Sequence, residues 1–394
     1  MIKGYDLIII GAGAAGLSAA IAYKRACHGE LLIIEVNPEA GRKILATGNG
    51  KCNLTNTNAP GFRQTKEFFE SLGVMLDVDD EGRVYPHGRQ ASVVRDILYE
   101  EARTLGAEFL FYGRASGITR LKEGFAVSVL HMIAKKARTD DKWPDSSITA
   151  NHVDLQQANA YLASNVIVAT GGKAGPQFGS TGDGYKFARD LNIDVYGIRP
   201  GLVPLLYDDT APDKLRALKG VRARAVVRLL NTEEAGGAEI AAASGEIQFS
   251  DTGLSGICIF DLSLYVLPET RYIIEIDLTC GRGAELPDFR RYPAGIRGII
   301  NSRLAEMLTH EQLTAWRIPV RGTRGWRDAQ VTVGGVSHDD LEEGSYMAKN
   351  TPGLYFAGEV LDYTGICGGY NLDNAWTSGI AAGTAAAVTT AARL

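Results

Sequence analysis

The chain has 394 residues, 45% of them apolar and 22% charged, with a formal net charge of −5 and a pI near 5.8. That length buries a full core in two or three domains, and the mild acidity gives no global pull toward nucleic acid or anionic membrane. Five cysteines without a CxxC pair argue against a disulfide framework or zinc site, and no run of about 18 uncharged apolar residues offers a membrane span.

The first predicted strand starts within five residues of the first one, which leaves no room for a signal peptide and points to the cytoplasm. The strand, Leu7 to Ile10, runs into Gly11, Gly13 and Gly16 and then an Ala-rich helix opening at Ala14 and Ala15; a second strand, LLIIE, ends on Glu35. This order is the dinucleotide fingerprint: Gly11 permits the tight turn, Gly13 lets backbone approach a pyrophosphate, and Gly16 lets helix and strand pack closely. The helix N-terminus offers unpaired N–H groups, and Glu35 would accept from ribose hydroxyls. An acid there disfavours a 2′-phosphate and leaves NAD or FAD.

Residues 41–56, GRKILATGNGKCNLTN, are too rich in Gly and Asn for a regular element and predict a loop wrapped on cofactor, with Arg42, Lys43, Thr47, Gly48, Lys51, Cys52 and Asn53 as contacts. Arg42 and Lys43 would balance the pyrophosphate. Cys52 reads either as a packed thiol or as one whose pKa is lowered by Lys51 and Arg42. A helix (Lys66 to Leu72), a strand pair around 82–86, a helix (Ala91 to Leu105) and a strand (Glu108 to Tyr112) follow, with Ala115 a further cofactor contact.

Residues 125–130 alternate like a hairpin strand, the polar tract 135–147 reads as an exposed loop, and 165–172 is a buried parallel strand ending at Thr170, Gly171 and Gly172 beside the adenosine half. Asp183, between two glycines, reads as a loop-fixing acid in the same contact set. From about Val195 the pattern becomes antiparallel β, with strands around Val203 to Leu206, Ala223 to Leu230 and Glu246 to Phe249. Residues 283–318 read as helical, with Ile299, Ile300, Leu304 and Leu308 spaced for one helix over Arg297 to Leu308. The β and helical insertions gather many cations, among them Lys219, Arg222, Arg224, Arg228, Arg317 and Arg321, which read either as a phosphate-binding face or as a solvated surface with acid partners.

The chain returns to the nucleotide domain near 331–337 and ends with TPGLYFAGEVLDYTGICGGYNLDNAW at 351–376. Gly358 and Glu359 after a short strand resemble the second FAD signature of two-dinucleotide-domain flavoproteins, where the acid binds the ribityl chain; this selects FAD. Asp362 would assist or cap the next turn. Gly368 and Gly369 allow close approach, and the helix from Tyr370 would aim its N-terminus at the flavin C2 carbonyl, with Asn371 and Asn374 as polar partners. Helix capping is the other reading of Asn371. Cys367 reads either as a general acid for reduction of a C=C bond or as a packed thiol. The histidines at 28, 87, 131, 152, 310 and 338 form no metal pair, so no metal is expected; His338 reads as substrate-facing or as surface.

Together, GRKILATGNGKCNLTN, EGRVYPHGRQASVV, TGGKAGPQFGSTGDGY, FSDTGLSGICIFDLS, GTRGWRDAQVTVGGVS and the C-terminal segment resemble the BaiN/RdsA (YhiN-like) family of FAD-dependent oxidoreductases over nearly the whole chain. The tract at 131–158 departs from the family pattern in length. The resemblance implies an α/β fold: a Rossmann-like, doubly wound parallel sheet as a discontinuous FAD domain (1–195 and 328–394), an inserted antiparallel barrel-like domain (196–282 and 319–327), and a small helical subdomain (283–318). Family members resemble ribosomal RNA dihydrouridine synthases, a reductase of conjugated steroid dienones, and an aminoacetone oxidase. With only one dinucleotide fingerprint, NAD(P)H is expected as a transient reductant. The function read is therefore reduction of a C=C bond, with ribosomal RNA uridine as the first choice of substrate and a small-molecule conjugated enone as the other; the alternatives are an amine oxidase releasing hydrogen peroxide and a non-catalytic flavin-bound sensor or scaffold.

Overall fold

The structure, a computed structural model, describes residues 4–134, 153–232, 237–291 and 294–393. The polar tract 135–147, and the loop expected there, lies outside the described residues. The chain forms two compact units, one of Met1–Ile198 with Thr332–Leu394 and one of Arg199–Val331.

The first unit is built on β1 (Gly4–Ile10), α1 (Ala14–Ala26), β2 (Leu31–Ile34), α2 (Arg42–Ala46), β3 (Thr55–Asn56), α3 (Phe62–Ser71), β4 (Leu76–Val78), β5 (Arg83–Pro86), α4 (Ala91–Thr104), β6 (Glu108–Leu110), β7 (Gly113–Arg120), β8 (Phe125–Ala134), β9 (Val153–Val168) and α5 (Asp183–Asp190). Strands β6, β2, β1 and β9 lie parallel in that order, and β7 and β8 continue the sheet as an antiparallel hairpin. Leu7, Ile8, Ile9 and Ile10 are all buried because both sheet faces are covered, which is why β1 reads as a continuous apolar run. One face packs on α1, α4 and the C-terminal helix; the other is covered by Tyr185, Phe187 and the 336–361 segment.

The second unit contains β10 (Arg199–Gly201), β11 (Leu205–Tyr207), β12 (Arg222–Asn231), β13 (Glu239–Phe249), β14 (Gly253–Ser255), α6 (Ile257–Ser263), β15 (Arg271–Asp277), α7 (Ser302–Ala305) and β16 (Trp316–Thr323). Six of these strands close an antiparallel barrel in the order β11-β14-β13-β12-β15-β16. On β12, Ala225, Val227 and Leu229 point into the core while Arg222, Arg224 and Arg228 alternate outward, the two-residue period of a half-buried strand.

The single helix expected over Arg297 to Leu308 is instead a 3-10 turn, Gly295–Gly298, followed by the one-turn α7. Gly295 is left-handed at φ 53, and Asn301 leaves the helical region at ψ 140 to accept the Arg303 N–H at 2.9 Å. Asn side chains compete with the helix backbone in this way. Leu304 and Leu308 are still buried against the barrel core, so the apolar spacing marked burial correctly and continuity wrongly.

After β17 (Val331–Val333), the first unit is completed by β18 (Leu354–Phe356), which adds parallel to β9, and α8 (Tyr370–Ala391). Helices α1 and α8 cross backbone to backbone: a Cβ on Gly379 would collide with the Ala15 carbonyl and Ser18 Oγ, and one on Gly383 with the Ala19 carbonyl. Among the described residues no helix is long and apolar enough to cross a membrane.

Candidate active site

Two of the three fingerprint glycines are explained by close neighbours. Gly11 sits at φ 108, where its N–H donates to the Ile34 carbonyl at 2.8 Å. A Cβ on Gly16 would collide with the Gly11 carbonyl, but one on Gly13 would meet nothing within 4 Å. The chain thus leaves open space in front of α1, whose N-terminus has no side-chain cap. Ala14 and Ala15 stand in that first turn, so its amides remain available to an anion.

Glu35, 6% exposed, follows β2 and fixes this turn. Its carboxylate accepts the Ala12 N–H at 2.7 Å and both N–H groups of Asn37 at 2.8 Å. Burial pushes its pKa up despite these donors and the nearby Arg42. Asn37 was not singled out from sequence; it also accepts from Arg42 at 3.0 Å and donates to the Phe178 carbonyl at 2.9 Å, so one amide links the acid, a cation and the loop after β9.

Lys43 has a different partner from the pyrophosphate read from sequence. Its ammonium lies 2.5 Å from Glu359 and 3.2 Å from the Ala174 carbonyl. The other Glu359 oxygen accepts the Thr332 N–H at 2.9 Å, and Thr332 Oγ1 accepts from the Lys173 and Ala174 amides at 2.7 and 3.0 Å. Gly172 fits here because a Cβ would stand 2.7 Å from the Glu359 carboxylate. Thr170 and Gly171 sit at the end of β9, half-buried, with Thr170 Cα 3.3 Å from where a Cβ on Gly11 would stand. Thus Lys43 and Glu359 tie the N-terminal and C-terminal segments together. Gly358, at φ 80, donates to Ser378 Oγ of α8 at 2.9 Å.

Two readings change, and of the two for Cys52 the packed thiol holds. Cys52 is fully buried and its thiol is pushed up to about 12 by desolvation, so Lys51, which is exposed, does not activate it. Asp183 is not a loop residue: it opens α5, and its two carboxylate oxygens accept from Arg114 Nε at 3.0 Å and Nη2 at 2.9 Å. Ala115, next to that arginine, is buried within the core of the sheet.

Residues Thr47 to Asn53 form a tight loop with Gly48, Asn49 and Gly50 at φ 55, 55 and 82. Asn53 closes it, 8% exposed, with its carboxamide oxygen buried and unpartnered. Beside it lies the N-terminus of α8, where Gly369 is left-handed at φ 106 and supplies no side-chain cap. A Cβ on Gly369 would stand 2.6 Å from the Thr55 backbone and 2.9 Å from Asn53 Oδ1. Asn371 neither caps the helix nor leaves its amide free: it accepts from the Gly365 N–H at 2.9 Å and donates to the Gly365 carbonyl at 2.8 Å. It shapes the turn that carries half-buried Cys367 and left-handed Gly368.

Sequence reasoning passed over Asp373, which anchors this end. It is 3% exposed and accepts from Thr55 Oγ1 at 2.6 Å, Thr65 Oγ1 at 2.7 Å and the Gly61 N–H at 2.8 Å. Its signal was an acid in the first turn of a helix otherwise nearly devoid of charge. Trp376, fully buried one turn on, donates to the Leu54 carbonyl at 3.0 Å. His338 is exposed in a surface loop that lines a cavity with Asp339, Glu342, Glu343 and Lys349, and no metal-binding cluster is found among the described residues.

The first unit therefore presents two uncapped, glycine-flanked helix N-termini, an open space at Gly13, a buried acid and an orphaned buried acceptor. These suit a long ligand with phosphates at one end and a polar ring at the other, as FAD has.

Residues 61–385 match the family model described as HI0933-like protein Rossmann domain. Across 96% of this chain and 98% of the relative, the sequence is 29% identical to the 3-dehydro-bile acid delta(4,6)-reductase of Clostridium scindens. It is 28% identical to the ribosomal RNA dihydrouridine synthase of Escherichia coli, covering 95% of this chain and 96% of that one. By fold it resembles a flavocytochrome c3 fumarate reductase, with a TM-score of 0.52 at 15% identity over 98% of this chain and 79% of the other. A 3-ketosteroid-delta4-(5alpha)-dehydrogenase from Rhodococcus jostii gives the same TM-score and identity over 98% and 97% of the two chains.

Proposed function

The chain belongs to the HI0933-like family of FAD-dependent oxidoreductases, and from that premise we propose that it reduces a carbon–carbon double bond conjugated to a carbonyl, using NAD(P)H as the electron source. The pairing of the α1 and α8 N-termini in one unit carries this reading, supported by two relatives whose names both denote reduction of a ring double bond beside a carbonyl.

FAD bound here would supply the hydride-transfer chemistry between nicotinamide and substrate. The amides of Gly13, Ala14 and Ala15 would hold the pyrophosphate, and Glu35, already fixed by Ala12 and Asn37, would orient the adenosine ribose. Glu359, held by Lys43 and Thr332, would bind the ribityl hydroxyls. The uncapped α8 N-terminus would stabilise negative charge on the flavin pyrimidine ring. Cys367 would deliver a proton to the carbon alpha to the carbonyl as hydride reaches the beta carbon.

The acceptor class includes an enone and a uridine. For ribosomal RNA, the insertion supplies little unopposed charge: residues 199–331 contain as many Asp and Glu as Lys and Arg. Arg222 pairs with Glu246, Arg228 with Glu239 and Glu275, Arg317 with Glu275, Arg321 with Glu269 and Lys219 with Asp251. This supports a small conjugated acceptor over one gripped through phosphates.

The test is anaerobic addition of NADPH, then NADH, to the FAD-loaded protein, followed by an enone or ribosomal RNA. Bleaching of the flavin band and its recovery on adding acceptor are expected. Persistent yellow colour with both nicotinamides, together with peroxide release from an amine in air, would replace this reading by the amine oxidase.

A further inference from the structure

One buried polar atom of the first unit has no protein partner where a ligand is expected. Asn53 is 8% exposed, and its Oδ1 is buried without a hydrogen bond. An unmatched buried acceptor costs about 1–3 kcal/mol, so such atoms are rare unless something outside the chain satisfies them. This one lies 2.9 Å from the point where a Cβ on Gly369 would stand, at the uncapped end of the 22-residue α8. An unpaired acceptor thus sits beside unpaired helix amides, which are donors.

Resting on the FAD reading above, we propose that Asn53 Oδ1 accepts the N3–H of the flavin pyrimidine ring while the first amides of α8 donate to the adjacent carbonyl. The imide edge of that ring presents carbonyl, N–H and carbonyl in sequence, so one acceptor flanked by donors complements it. No other edge of the isoalloxazine has this alternation. Gly369 is required because a Cβ would collide with the Thr55 backbone at 2.6 Å and crowd Asn53 Oδ1 at 2.9 Å. Uridine carries the same imide edge, and the experiment separates the two ligands.

The apoprotein is titrated with FAD and with 3-methyl-FAD, in which N3 carries a methyl group and donates nothing, and binding is read from flavin fluorescence. The wild type should bind FAD about tenfold or more tightly than 3-methyl-FAD, the loss expected for one buried hydrogen bond. Asn53→Leu should weaken FAD by a similar factor, leave 3-methyl-FAD nearly unchanged, and so abolish the discrimination; Asn53→Asp, which keeps an acceptor, should retain it. Equal affinity of the wild type for both flavins overturns the assignment without reference to any variant. Unchanged FAD affinity in Asn53→Leu overturns it too and gives the acceptor to another ligand, such as uridine. A wild type that binds neither flavin refutes the cofactor reading itself.

Discussion

Replacing Asp373 by Ala tests whether the α8 N-terminus is held from outside the helix. The carboxylate accepts three donors, from Thr55, Thr65 and Gly61, at 2.6, 2.7 and 2.8 Å, and is 3% exposed. In Asp373→Ala the two hydroxyls can rotate to backbone carbonyls, but the Gly61 N–H cannot follow and a small void remains. The lasting loss is therefore nearer one unpaired donor plus a cavity than three charged hydrogen bonds, about 3 kcal/mol. For a unit of this size that lowers Tm by roughly 6–12 °C. Asp373→Asn keeps one acceptor oxygen but turns an N–H₂ toward a donor, so its loss should be smaller, about 2 kcal/mol. Thermal unfolding of the apoprotein followed by circular dichroism measures both, and the FAD dissociation constant should rise in parallel. If Asp373→Ala melts with the wild type, the hub does not hold α8 and the reasoning fails.

Other outcomes follow from the same geometry. Glu35 has its pKa raised above the ordinary 4.5 by burial, so the stability tied to its protonated form is present at low pH and lost as pH rises through the folded value. Apo Glu35→Gln should therefore gain Tm relative to wild type as pH increases, while binding FAD more weakly; a Tm difference that shrinks with pH would contradict the sign. Fully buried Cys52 and Cys258, both pushed up to about 12, should resist iodoacetamide at pH 8 in the folded protein, while exposed Cys280 is alkylated, as peptide mass spectrometry would show. Gly379→Val should separate α1 from α8 and abolish soluble FAD-binding protein, because its Cβ would enter the Ala15 carbonyl; a variant with normal flavin content would refute that packing argument. Cys367→Ala should keep flavin reduction by nicotinamide but slow its reoxidation by the acceptor about a hundredfold, the usual share of a general acid, and unchanged turnover would remove Cys367 from the proton step.

Much of this protein is local in sequence. Residues 7–16 encode a buried strand, a turn and a helix because glycine spacing and apolar runs act within a few residues, and the β12 alternation marks a half-buried strand for the same reason. What local pattern could not decide was partnership. Lys43 and Cys52 read alike as loop residues near cations, yet one meets Glu359, 316 positions away, and the other is sealed in the core, where desolvation sets its thiol. Residues 297–308 carried the right apolar spacing, but Asn301 broke the helix by a side-chain bond that spacing does not register. Asp373 passed unmarked in the local pattern and is a buried hub only because α3 and β3 fold against α8. By itself, then, the sequence determined most of the elements and the dinucleotide turn, which follow from short-range sterics and periodicity, while its long motifs carried the resemblance to the family. The tertiary structure decided which charges are neutralised, which thiol is inert and which buried acceptor has no protein partner, because burial and long-range contacts control desolvation and hydrogen-bond partners.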